Sequence, residues 1–162
     1  MALSQAQYHA LHVAMQADAN NPLAMSDQAA AIYLQSMTGA STPATTQVMI
    51  WLPAVAVSAL NSAIDWTTTA VSGGNGGFQA FSQAARDAYF AMTQGGTIDS
   101  TQANIRNGFG SIFPTNVAAA LTMVAQRAAT VFESYFTTAN VCPAPYFGFI
   151  PQDTDVNKAR SA

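Results

Sequence analysis

His9 and His12 sit three residues apart, a spacing that puts both on one face of a helix and could chelate a metal ion. A metal centre needs more ligands than two. The nearest carboxylate, Asp18, is more than a helical turn away, so the pair reads as surface or half-buried histidines without a metal. The glycine run at 73–77 has the look of a phosphate cradle, but the Gly-Lys-Ser/Thr that would neutralise phosphate and bind magnesium is replaced by Phe78. Asp153 and Asp155 lie too near a terminus to build a pocket for acid/base work. Serine, histidine and aspartate all occur, yet no Gly-x-Ser-x-Gly elbow orders them. Cys142 is the sole cysteine, which excludes an intrachain disulfide and reads as a buried structural thiol. No catalytic residue, cofactor or metal is therefore predicted, and the chain is read as a non-enzyme without a small-molecule substrate.

Charge is the unusual property. Charged residues are 8% of the chain, against roughly 25% in an ordinary soluble domain. Up to Ala85 there are three acids and no Lys or Arg; from Arg86 onward five acids meet five bases, for a net charge of −3. Five scattered bases cannot displace the counterions of a nucleic acid, so no nucleic-acid partner is expected. In so uncharged a chain each ion should have a fixed partner. Arg86, Arg106, Arg127 and Glu133 are the candidates, with Arg127 bonded to an anion or to carbonyls because an unpaired buried guanidinium is costly. The longest apolar run, Val48 to Leu60, is too short to span a bilayer and contains Pro53. The N-terminus lacks the basic and apolar regions of a secretion signal.

These residues need elements to hold them, and the hydrophobic period predicts helices. The longest is Thr115 to Phe136, where Val117, Leu121, Val124, Ala128, Val131 and Tyr135 recur at helical spacing. Pro114 and a Thr115 cap start it. Leu3 to Asp18 reads as a first helix with a Ser4/Gln7 capping box; Leu3, Ala6, Ala10 and Val13 form one stripe, with Tyr8, Leu11 and Met15 alongside. Ser26 caps a second helix reaching about Thr38, with Ala30, Tyr33, Leu34 and Met37 inward. The stretch 42–51 is extended, a short strand with no evident pairing partner, and Trp51 packs at the entry to a helix over Pro53 to Ile64. Residues 66–77 form a loop whose glycine-rich part, 72–77, is the mobile one, and Phe78 to Phe81 is extended. Ser82 caps a helix to Gln94 with Ala85, Tyr89 and Met92 inward. Asp99 or Ser100 caps another, Thr101 to Ile112, with Ile105, Phe109 and Ile112 inward. The fold class is thus all-α: a single domain over 1–162, an irregular bundle of about five to six helices. The Pro- and aromatic-rich C-terminal segment, 139–162, wraps over the bundle or onto a neighbour, carries Tyr146, Phe147 and Phe149, and ends in a turn or two of helix at Asp153 to Arg160.

Read end to end, the chain resembles a family of mostly uncharacterised proteins encoded in the structural-gene regions of tailed bacteriophages and prophages. The resemblance is carried in order by Asp18 with Asn20-Asn21 and Ser26-Asp27, by Trp51, and by Ser82 with Arg86-Asp87-Ala88 and Tyr89. It continues through Ile98 to Phe113 (IDSTQANIRNGFGSIF), Arg127 with Ala129-Thr130 and Glu133 to Phe136, and Gly148-Phe149, Asp155-Val156 and Ala159-Arg160. The chain departs from the family pattern at Gln126, where a lysine is usual, and at Tyr89, where a tryptophan is. What the resemblance implies is a virion protein, assembled in the bacterial host cytoplasm, whose partners are other virion proteins and copies of itself. The expected position is the head–tail neck or tail; a capsid-decorating protein or a non-virion assembly chaperone is the alternative. Trp51, Arg86, Arg106, Arg127, Glu133, Tyr146, Phe147 and Phe149 are then the candidate structural and interaction residues.

Overall fold

A computed structural model describes residues 2–40, 45–64, 66, 78–113 and 115–162. The glycine-rich stretch 72–77, Pro43, Pro114 and the Thr115 cap lie outside what is described. The described residues form eight α-helices, two short 3-10 turns and two two-stranded sheets. The protein is mostly helical, with more helices than the five to six expected and with strands that an all-α reading leaves out. It divides into two compact units: Met1–Ile50 with Ala128–Ala162, and Trp51–Arg127.

The first unit is built on α1 (Gln5–Ala17) and α2 (Asp27–Gln35). The Ser4 hydroxyl accepts from Gln7 N–H at 3.3 Å, and the Gln7 side chain accepts from Ser4 N–H at 2.8 Å, closing the capping box that the sequence announces. The face of α1 that is buried is Tyr8, Leu11 and Met15. Ala6, Ala10 and Val13 are exposed instead; the bulkier stripe removes more apolar area from water. Ser26 caps α2 by accepting from Ala29 N–H at 3.2 Å. The helix stops at Gln35, short of Thr38, because the Ser36 hydroxyl bonds the Tyr33 carbonyl at 2.6 Å. Met37, expected inward, is consequently exposed, and it bridges Thr130.

The predicted long helix is three elements: α6 (Thr115–Ala125), strand β4 (Gln126–Ala128) and α7 (Val131–Tyr135). Two forces break it. The backbone at Gln126–Ala128 pairs with β1 (Met49–Trp51), which supplies the partner that the 42–51 stretch lacks in the sequence reading. A second capping box then restarts the helix: Thr130 Oγ1 accepts from Glu133 N–H at 3.1 Å and Glu133 Oε2 accepts from Thr130 N–H at 2.9 Å. Arg127 therefore lies on a strand, not mid-helix. Buried hydroxyls fix the flanks. In the first unit, Thr38 Oγ1 accepts from Val48 N–H at 2.9 Å and lies 3.0 Å from the Ala129 carbonyl. In the second, Ser100 Oγ lies 2.6 Å from the Leu52 carbonyl and 2.9 Å from that of Ala125.

The second unit also shortens an expected helix. Pro53 to Ile64 is not one element: β2 (Val55–Ala56) pairs antiparallel with β3 (Thr97–Ile98), and only Val57–Ser62 is helical, as α3. The pairing of Val55 with Ile98 joins two β-branched side chains that fit a pleated surface. Phe78–Ala80 is a 3-10 turn rather than extended chain. α4 (Gln83–Thr93) starts at the predicted Ser82 cap. α5 (Ala103–Ile112) starts two residues later than expected, because the Asp99 carboxylate bonds Thr101 and Gln102 in a preceding turn. The core of this unit gathers Leu60, Tyr89, Phe109 and Leu121, with edge-to-face contacts from Tyr89 to Phe78 and to Phe113 at 5.8 and 5.3 Å between ring centres.

In the C-terminal segment, α8 (Asp153–Arg160) packs on α1 and α2. Among the described residues no helix is long and apolar enough to cross a membrane.

Candidate interaction surfaces

Polar side chains converge at three places in the first unit. The first is Asp18, at the end of α1. Its Oδ1 accepts from Asn20 N–H at 2.8 Å, and its Oδ2 accepts from the hydroxyls of Tyr33 and Tyr135 at 2.8 and 2.7 Å. Asn20 Nδ2 donates to the Tyr33 oxygen at 2.7 Å. Burial pushes the Asp18 carboxyl up, but the donors from Tyr135, Asn20 and Tyr33 outweigh it and hold the group below its ordinary value. Burial, then the Asp18 carboxylate, pushes Tyr33 up to about 12 and Tyr135 higher still. Each carboxylate oxygen is already occupied by donors, so the arrangement ties helix ends together and offers no base to a substrate.

The second place is α8. Tyr8 donates to Asp155 Oδ1 at 2.6 Å, and burial followed by this carboxylate pushes the phenol up to about 12. Arg160 pairs with Asp27 and donates to the Pro22 and Met25 carbonyls. Asn157 Nδ2 also donates to Asp27, at 3.2 Å. His12 Nδ1 sits 3.0 Å from the Ala159 carbonyl oxygen; that oxygen only accepts, so this nitrogen carries the proton. His9 is exposed, and among the described residues no group of three His, Cys, Asp or Glu could hold a metal ion.

The third is Glu133, with 0% of its surface exposed. Beyond its capping role, Oε1 accepts from Gly148 N–H at 2.8 Å, which fastens the tail to α7. The tail aromatics follow. Tyr146 stacks on Phe136 with ring centres 3.8 Å apart and planes 3° apart, and Phe149 lies 5.0 Å from Phe132. Tyr146 and Phe149, two candidates for docking on a neighbour, thus pack against their own unit, as does half-buried Phe147 beside the cluster of Ile50, Ala129 and buried Cys142. Beside them lies an open cleft of about 530 Å³ lined by Pro145, Phe147, Phe149, Ile150, Gln152 and Asp155.

In the second unit, the Arg106 guanidinium lies 5.2 Å over the Trp51 ring and donates to the Ser100 and Thr101 carbonyls at 3.0 and 2.5 Å. Arg86 does not turn to Asp87. It donates to Gln79 and Gln83 at 3.3 and 2.9 Å, while Asp87 accepts from Gln83 Nε2 at 2.7 Å. Arg127 is half-buried on β4. The structure thus brings Trp51 to Arg106 and leaves Arg86 apart from both.

Sequence reasoning missed the Asp18–Tyr33–Tyr135 cluster and the Asp27–Arg160 pair. The available signal was the scarcity of charge, which predicts a fixed partner for every ion but does not name it across more than a hundred residues. Among the described residues, the large apolar side chains open to solvent are Ile32, Ile150, Val13 and Met37 in the first unit, and Phe90 and Met123, the last 77% exposed, in the second. No protein-family model, curated protein or solved structure matches the chain.

Proposed function

We propose that the protein is a structural component of a tailed-bacteriophage virion, at the head–tail neck or in the tail, present in several symmetric copies and acting through contacts between subunits. The observation that carries this reading is where the family-like residues fall. Ser26 and Ser82 cap helices, Ser100 and Arg106 bind carbonyls, Thr130 and Glu133 restart α7, and Asp155 and Arg160 seat α8. A resemblance spread over joints is what a shared architecture would leave; a shared reaction would concentrate it around one pocket. The exposed Ile32, Ile150, Phe90 and Met123 are side chains that a neighbour would cover.

Washed, purified particles are the test. Mass spectrometry should find the chain in stoichiometric copies, and cross-linking should join it to itself and to other neck or tail proteins. Cross-links to the shell alone would move it to capsid decoration. Presence in the lysate with absence from washed particles would replace a virion component with an assembly chaperone.

A further inference from the structure

We infer that α8 is a releasable latch, and that the seam it leaves on α1 and α2 takes α8 of a second copy. The inference rests on the proposed assembly role only for its purpose; the geometry stands alone. Helix α8 contributes just two buried side chains, Val156 and Ala159, to the cluster that holds Tyr8, Leu11, Ala30 and Leu34. Around these its contacts are polar and ionic: Asp155 on Tyr8, the Ala159 carbonyl on His12, and Arg160 and Asn157 on Asp27. Arg160 also reaches the Pro22 and Met25 carbonyls, with an Nε that has no partner although it is buried. The Asp27–Arg160 pair is partly open to solvent, at 32% and 27% side-chain exposure, so salt weakens it. The segment before it, through Phe149, is fastened separately by aromatic stacking and by Glu133. Release therefore pivots at Ile150–Gln152, and it must also free buried Pro151, whose carbonyl accepts from the Gln35 side chain at 2.6 Å.

The vacated seam specifies its occupant. It offers apolar surface in the middle, a phenol donor at one end, and a carboxylate with two backbone carbonyls at the other. A helix fits if it carries a carboxylate near its start, small apolar residues at i and i+3, and a cation at its end. Asp155, Val156, Ala159 and Arg160 are that pattern, so a second copy of α8 reproduces every contact. Reciprocal exchange then gives a two-fold dimer at little cost in contacts.

Mixing isotopically light and heavy copies of the whole chain tests this, with native mass spectrometry after a pulse of about 1 M salt to screen the ion pair. Mixed dimers should form, and hydrogen exchange should show α8 losing protection before α1 and α2 do. Because exchange makes the same contacts within and between chains, Arg160→Ala should speed mixing by about tenfold or more. It should change the dimer-to-monomer ratio by less than about twofold. Monomers alone, α8 protected as strongly as α1, or an Arg160→Ala variant that shifts the ratio without speeding exchange would each overturn the latch. Chain found in virions without exchange would sink this inference alone; exchange without incorporation would sink the virion reading alone.

Discussion

Asp18 shows what one carboxylate does in a chain with so few charges. It holds two tyrosine hydroxyls and a backbone N–H, and so joins the end of α1 to α2 and α7. Hydrogen bonds to a charged group each contribute about 1.5–3 kcal/mol, and removing the acceptor leaves the donors to find water. Asp18→Ala should therefore destabilise the protein by about 2 kcal/mol in chemical denaturation, with Asp18→Asn, which keeps one acceptor oxygen, costing less. The pH dependence has a definite sign. The folded-state pKa is depressed below 3.8, so the contribution is complete above that value and is lost as pH falls through the lower, folded one. Asp18→Ala should flatten that part of the acid limb; an unchanged denaturation curve would remove the cluster from the stability of the fold. The cluster was not legible because its members stand 15 and 117 positions from Asp18, and a single sequence does not report such pairings.

At the scale of elements, legibility follows the reach of the signal. The caps at Ser4, Ser26 and Ser82 act within three residues, and each starts a helix where it is read. The break inside the predicted long helix shows the opposite case. Its apolar spacing from Val117 to Tyr135 stays helical throughout, yet β1 captures Gln126–Ala128 from a distant part of the chain. One local sign of the break was present: Thr130 followed by Glu133 is the same Ser/Thr-x-x-Glu/Gln pattern that opens α1. That capping box decides whether α7 forms, since five residues are too few to be helical unaided. Thr130→Ala should cost about 1 kcal/mol, read as a lower melting temperature with loss of amide protection concentrated in Val131–Tyr135. A substitution that left α7 amides protected would show that packing of Phe132, not the cap, holds the helix.

Over the whole molecule the tyrosines act as reporters. Of the five, Tyr8, Tyr33 and Tyr89 are pushed up to about 12 and Tyr135 further, burial being the first cause in every case. Tyr89 donates to Asn61 in the second unit at 2.7 Å; the others belong to the joints of the first. Both units therefore commit neutral phenols to their interiors, a placement that the helical spacing of Tyr33 and Tyr89 announced and that the apolar pattern alone could extend no further than burial. Folded pKa values raised above the ordinary 10.0 have one consequence for stability. The contribution is complete below pH 10 and drains away as pH climbs towards about 12, because the unfolded chain ionises first. At about pH 11 the phenolate absorbance of the folded protein should fall well short of five tyrosines. It should jump to the full value as helical circular dichroism disappears, whereas the denatured chain titrates smoothly near 10. Full ionisation near pH 10 with the helices intact would mean that the phenols are solvated, and the joints that seat α8 and tie α1 to α7 would lose their physical basis.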